Sequence, residues 1–342
     1  MRIFYSFKAV ISSFIIVLFA FTFVSAKTVL RTDEAAIGEA DPAKATDYVD
    51  SVLMFNVYDA LVDESPGGGG GLMPLLASNW EYTNPTTLNI TLKDGVKFHS
   101  GNILEAEDVV FSYNRLMDMG QGFSFLFSSV KDVSALDKST VQFTTNEPFA
   151  PLVASLIRLG IVDKDTIMEN TVDGNYGDNG DYGEAYLLKN SAGTGAYKIV
   201  DHDPNVKTVL AKNNDYFQGH NQDSPDEVII KYSVEAATIK TLLVRNEHEI
   251  SSMWLPNEVV AALEKEPNVD IVPIPRPGSW MNKLNNRKAP FDDVHCRRAI
   301  QLAYDYDSLE KSFAVTENLI AGKKSSGALI PGLLGYDPMK PP

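Results

Sequence analysis

The succession of apolar and polar positions divides this chain into short strands and amphipathic helices. Residues 27–32 predict a short strand. After a polar loop through Asp41 and Pro42, apolar residues recur at Val49, Val52, Leu53, Val57, Ala60 and Leu61, a helical spacing. Alternation over 87–92, an Asp94-Gly95 turn and the run 96–101 predict a hairpin. Residues 105–116 predict a helix with Glu105, Glu107 and Asp108 in its first turn, where carboxylates favour the positive end of the helix dipole. Phe111 in this helix, and Trp80 before it, fall on inward positions and are expected in a core. Next come a strand over 141–144, an apolar helix over 149–159 behind Pro148, and a strand that turns at Asp203, Pro204 and Asn205 into 206–212. The pattern then predicts a strand over 228–232, helices over 236–245 and 257–265, and strands over 269–274 and 279–285. A last helix, capped by Asp292 or Asp293, carries Val294, Ala299, Ile300, Leu302 and Ala303 on its apolar face. Strand and helix alternation after residue 190, joined to a hairpin-rich segment before it, argues an α/β architecture with an inserted domain.

Two polar segments interrupt this order. Residues 65–71 contain five consecutive glycines, lack the Gly-Lys-Ser/Thr ending of a phosphate loop, and read as a flexible hairpin tip. Residues 173–184 are rich in Gly, Asn and Asp. A calcium loop started at Asp173 would put Gly177 at a ligand position and Asp178 where the glycine belongs, so the segment reads as a long polar turn.

At the N-terminus, Arg2 and Lys8 precede an apolar run over 9–24 that closes in Val24, Ser25 and Ala26, the pattern of a signal peptide cut after Ala26. The run is interrupted by Ser12, Ser13 and Thr22, which disfavours a retained membrane span. No cysteine lies near the cut, so a lipid anchor is not expected there and a periplasmic location is favoured. Cys296 is the one cysteine, expected as a small buried side chain with no disulfide. The formal charge of −15 disfavours nucleic acid as a partner, because binding it requires a basic surface.

Catalytic chemistry finds little support. There is no Gly-x-Ser-x-Gly elbow and no His-Glu-x-x-His motif; His99, His202, His220, His248 and His295 are scattered, and after His248-Glu249 the second histidine position is Ser252. Abundant carboxylates are compatible with a glycosidase-type pair, yet nothing assembles a nucleophile with its base, so a secreted hydrolase remains only the rival reading.

The stretch Asn285-Asn286-Arg287-Lys288-Ala289-Pro290-Phe291-Asp292-Asp293, continuing to Arg298-Ala299-Ile300, resembles a signature of the oligopeptide, dipeptide and nickel-binding family (family 5) of extracytoplasmic solute-binding proteins. Pro74 to Trp80, Lys97-Phe98-His99 with the 105–115 helix, Gly193-Thr194-Gly195-Ala196-Tyr197 (Ala196 where proline is usual), Asn213 to Phe217 and Glu247 to Ile250 are similar to further family motifs. The resemblance implies a multi-lobed, type II periplasmic-binding-protein-like α/β fold. Lobe I would be built from 27–55 and 190–276, an inserted lobe II from 56–189, and an incomplete lobe III from 277–342, the chain being expected to be a C-terminally shortened form. It also implies a binding protein, monomeric and without cofactor, that captures a peptide-like ligand between lobes and delivers it to the permease subunits of an ABC importer. An oligosaccharide or metal chelate is the alternative ligand. The ligand contacts implied are Thr46, Asp47 and Tyr48, then Ser252, Met253 and Trp254, then Trp280, Met281 and Asn282.

Overall fold

The computed structural model describes residues 27–65, 71–274, 278–279, 281–316, 319–320, 322, 324, 329 and 336. Two four-stranded sheets organise the molecule. In the first, β1 (Val29–Glu34) lies parallel to β10 (Glu227–Tyr232), which pairs antiparallel with β9 (Lys207–Lys212), and β9 with β8 (Tyr197–Asp203), so that β1 is an edge. Val228, Ile230 and Tyr232 alternate inward from β10 and meet Leu53 and Val57 of helix α1 (Ser51–Val57) in one core.

The second sheet is wholly antiparallel, ordered β4 (Ala77–Asn84), β5 (Thr87–Leu92), β7 (Thr140–Thr145), β6 (Val130–Ala135). Helix α2 (Ala106–Met119) covers it, burying Val109, Tyr113 and Leu116 with Leu88, Ile90, Val141 and Phe143. The start of α2 is fixed by a reciprocal cap, in which Glu105 and Asp108 each accept a backbone N–H from the other's end of the turn. Trp80 and Phe111 pack against this core while partly buried. A small hairpin of β2 (Val62–Glu64) and β3 (Leu72–Pro74) closes one side, and the tip predicted from the glycine run falls on 66–70, outside the described residues.

The connection between the sheets depends on two glycines. Gly195 N–H donates to the Val57 carbonyl at 3.1 Å, and a Cβ on Gly193 would lie 2.1 Å from that oxygen, so no side chain fits where the chains cross. This contact also explains why α1 is shorter than its apolar spacing predicts: the chain turns extended at Tyr58 and continues into β2.

Other elements depart from the sequence pattern. The Asp94-Gly95 hairpin does not form, because both edges of β5 are already occupied by β4 and β7; only an isolated bridge joins Lys97 and Ile103. The predicted helix over 149–159 is reduced to α3 (Leu152–Ser155) with a 3₁₀ turn over Leu156–Arg158, since Leu159 turns away from helical geometry and Ile161 N–H reaches the Asp59 carbonyl. Residues 164–187 add α4 (Lys164–Glu169) and α5 (Glu184–Leu187), with the polar segment between them folded as tight turns. Helices α6 (Ala236–Val244) and α7 (Asn257–Leu263) make a third, small cluster through Ile239, Leu243 and Leu263.

The strands expected over 269–274 and 279–285 are absent among the described residues: no neighbouring strand offers ladder partners, and Val272 and Ile274 are 72% and 75% exposed. Helix α8 (Val294–Ala303) is capped by Asp293, whose carboxylate accepts the His295 N–H at 2.7 Å, and α9 (Tyr306–Ser312) follows. No residue of α8 is buried, so its apolar side, with Leu302 86% exposed, is open, and Cys296 is half-buried rather than buried as expected.

Candidate functional site

The outer edge of β1 is where distant segments meet. Glu249 N–H donates to the Arg31 carbonyl at 3.1 Å, while the Glu249 carboxylate accepts the Arg31 backbone N–H at 2.5 Å and its guanidinium at 2.9 Å. Two residues on, the Asp33 carboxylate accepts the Ser252 hydroxyl at 3.1 Å and the Ser252 N–H at 3.4 Å. These bonds occupy backbone groups that an edge strand otherwise leaves open, and they hold the 252–254 segment in place. Asp33 is 4% exposed, and its Oδ1 has no partner among the described residues. A buried carboxylate oxygen without a donor is costly.

The opposite wall is the loop before α1. Asp50, at the helix N-terminus, accepts the N–H groups of Asp47 at 3.2 Å and Glu39 at 3.3 Å; burial pushes its carboxyl above the usual carboxylate range. Pinned in this way, the loop presents Tyr48 edge-on to Trp254, with ring centroids 6.3 Å apart and planes at 80°. The two rings stay 52% and 46% exposed, so they offer apolar surface to solvent rather than filling a core.

Of the residues expected from sequence, Tyr48, Ser252 and Trp254 are therefore brought to one place. Thr46 and Asp47 lie exposed on the same loop and Met253 is 49% exposed beside Trp254. Trp280 lies outside the described residues. Met281 is exposed, and Asn282 donates through Nδ2 to the Tyr304 hydroxyl at 3.2 Å, on the side of α8. Sequence reading passed over Asp33, whose position at the end of a strand without clear alternation gave no sign of burial. It also passed over the partner of Arg115. This residue of α2 is 1% exposed and holds Asp41 through both terminal nitrogens, at 2.6 and 2.5 Å, while its Nε donates to the Tyr182 carbonyl at 2.8 Å.

Two predicted motifs meet in a further contact: the His99 ring bonds the Ser191 hydroxyl through Nδ1 and the Gly195 carbonyl through Nε2, each at 3.0 Å. Burial lowers its pKa to about 4, so the ring is neutral, with the proton on Nε2 to serve the carbonyl. Among the described residues, no group of three or more His, Cys, Asp or Glu side chains is placed to hold a metal ion, and no helix is long and apolar enough to cross a membrane.

One mixed and one antiparallel sheet joined by a close glycine crossing, with candidate contacts on loops at a sheet edge, make up an α/β fold of the type II periplasmic binding proteins. The family model described as bacterial extracellular solute-binding proteins, family 5 Middle, matches residues 71–340, and the chain belongs to that family. The probable D,D-dipeptide-binding periplasmic protein DdpA of Escherichia coli is 30% identical over 330 residues, a match covering 93% of this chain and 61% of that protein. Di/tripeptide-binding protein 2 of Pseudomonas aeruginosa is 26% identical over 333 residues, covering 91% and 60%. The chain thus spans about three fifths of the length of these relatives. Among solved structures, the ABC transporter-associated periplasmic binding protein DppA from Helicobacter pylori, in complex with peptide STSA, aligns with TM-score 0.67 and 27% identity over 83% of this chain and 58% of that one. HbpA2 from Haemophilus parasuis aligns with TM-score 0.70 at 23% identity, covering 92% and 63%, a likeness of fold.

Proposed function

We propose that this protein is the capture component of an ABC importer, holding a peptide-like ligand against the Tyr48 and Trp254 rings and passing it to membrane permease subunits. The observation that carries this reading is the convergence itself: a loop before α1 and a segment after α6 place two exposed aromatic rings edge to face, and the second segment is bonded to the buried Asp33 carboxylate, one oxygen of which has no partner among the described residues. The rings supply apolar area for a side chain, and Asp33 supplies an acceptor for an amino or amide group. Relatives named for di- and tripeptides, and a neighbour that holds a peptide, support the same ligand class. Nothing in this arrangement pairs a nucleophile with a base, so the reading is of capture without turnover.

The proposal extends to the lobes expected from sequence, with residues 27–55 and 190–276 in one, 56–189 in another and the third from 277, and with Met281, Asn282 and Trp280 reaching the ligand from the last. It includes a monomer in the periplasm, released by cleavage after Ala26.

Calorimetric titration with a panel of di- and tripeptides tests the function. Saturable binding without hydrolysis, weakened in Trp254→Ala, is the expected result; hydrolysis of the peptides, or no binding across the panel, refutes it. Mass spectrometry of periplasmic material should give Lys27 as the first residue.

A further inference from the structure

Three buried side chains on neighbouring strands form a hydrogen-bonded chain that capture itself leaves unused. The His202 ring on β8 bonds the Thr208 hydroxyl on β9 through Nδ1 at 2.6 Å, and Thr208 bonds the Tyr232 hydroxyl on β10. All three are buried, and the His202 and Tyr232 rings stand edge to face with centroids 6.5 Å apart. The charged groups around the chain are Asp203 and Asp201 beside His202, Lys207, which pairs with Asp201 at 3.4 Å, and Asp50 and Glu34, whose charges act on the Tyr232 hydroxyl. The chain thus runs from the edge strand β8 across the first sheet toward Asp50, the carboxylate that pins the Tyr48 loop through the N–H groups of Asp47 and Glu39.

The available protons give the chain a direction. Among the described residues the Tyr232 hydroxyl bonds nothing but Thr208, so its proton goes to Thr208, whose own proton goes to Nδ1. The neutral imidazole then carries its proton on Nε2. Burial lowers the His202 pKa from 6.5, against the pull of Asp203 and Asp201, so the ring is neutral at pH 7.5; Tyr232, raised to about 12 chiefly by burial, keeps its proton. Protonation turns Nδ1 from acceptor to donor. Thr208 must then accept from Nδ1 and donate to Tyr232, and Tyr232, at the end of the chain, must turn its proton away, toward the carboxylates of Asp50 and Glu34.

We propose that this chain is a proton-operated switch on capture. Protonation of His202 reverses the two hydroxyl bonds, the Tyr232 proton draws on the Asp50 carboxylate, and the N–H groups of Asp47 and Glu39 lose their hold on it, which frees the loop that sets Tyr48 against Trp254. Acid therefore favours release. The effect on the rings is independent of what they hold, whereas the effect on affinity rests on the peptide reading.

Fluorine NMR of the full chain labelled with fluorotryptophan, with the Trp254 line assigned by its loss in Trp254→Phe, tests the switch without a ligand, because movement of the Tyr48 edge changes the ring current at Trp254. The line is expected to move between pH 8 and pH 5 in step with the His202 ring nitrogens, and to stay in place in His202→Gln. Thr208→Val, checked as folded by circular dichroism, keeps the imidazole but cuts the relay and should also hold the line still, while Thr208→Ser restores the movement. Peptide affinity measured by calorimetry should fall by about fivefold or more from pH 7.5 to pH 5 in the parent, the lower end of typical coupling between sites, and by less than about twofold in His202→Gln. A Trp254 line that does not move in the parent, or that moves equally in His202→Gln or in folded Thr208→Val, overturns the switch; absence of peptide binding at pH 7.5 refutes the peptide reading alone.

Discussion

Arg115 on α2 and Asp41 on the loop after β1 form a two-pronged ion pair buried between the two sheets, with side chains 1% and 3% exposed. Asp41 also accepts the Ala43 N–H at 2.9 Å, so the same carboxylate shapes its own loop and anchors it to the second core. Removing one partner leaves the other charged and buried. Arg115→Met is therefore expected to lower stability by about 3–5 kcal/mol in denaturant unfolding, and Arg115→Met combined with Asp41→Leu should cost less than the two single changes added. A loss under about 1 kcal/mol in Arg115→Met would show that the pair contributes no net stability.

The glycine crossing gives a steric prediction. Gly193→Ala drives a Cβ to 2.1 Å from the Val57 carbonyl oxygen, and backbone cannot yield as a side chain tip can. A loss of about 3 kcal/mol or more is expected, against a change within about 0.5 kcal/mol for Gly38→Ala, which meets no atom within 4 Å. Thermal unfolding of the two variants side by side checks it.

Acid should act on the fold through His99 and Asp59 with opposite signs. His99 falls from 6.5 to about 4 on burial, so between those values the unfolded chain binds more protons and the histidine's contribution is lost as pH drops. Asp59 is raised from 3.8 to about 6, chiefly by burial, so its carboxylate costs stability above pH 6 and that cost disappears toward pH 4. The stability of the parent relative to His99→Gln should fall by about 2 kcal/mol between pH 6.5 and 4, while that relative to Asp59→Asn should rise over pH 6 to 4. Urea unfolding across this range gives both differences; slopes of the same sign would contradict the assignment.

Because the rings of Tyr48 and Trp254 remain about half exposed, their truncation should act on binding and not on folding. Tyr48→Ala and Trp254→Ala are each expected to weaken peptide binding at least tenfold, with a stability change of about 1 kcal/mol or less, the size of an edge-to-face pair. A drop in melting temperature without a change in affinity would place the pair in the scaffold.

Much of this arrangement was legible in the sequence. Alternation located β5, β7 and β10 and helical spacing located α2 and α6, because each buries one face against a single neighbour. The resemblance on the glycine-rich motif also pointed to Gly193 and Gly195, where the structure supplies the steric reason. Local pattern failed where the outcome depended on distant partners. The turn at Asp94-Gly95 has good hairpin chemistry, but β7, arriving some fifty residues later, takes the edge of β5. Residues 269–274 have strand composition, but among the described residues no strand pairs with them. At the site, aromatic type singled out Tyr48 and Trp254, whereas Asp33 owes its setting to burial, which a linear pattern does not display.

The parallel pairing of β1 with β10 sets an order of assembly. Val29 faces Glu227, and the backbone of Thr28 meets the Asp226 side chain across 198 residues of chain, whereas the second sheet is drawn entirely from residues 77–145. Closing the longer loop is entropically dearer and slower, so the antiparallel sheet should gain protection first in refolding, with β1 docking among the last steps. Pulsed hydrogen exchange would show it as early protection at Ile90 and Phe143 and late protection at Leu30 and Thr32, whose backbone groups face β10. The aromatic pair depends on that late event, since the 252–254 segment is fastened to β1. A newly refolded chain would thus acquire a stable body before it acquires the capacity to bind.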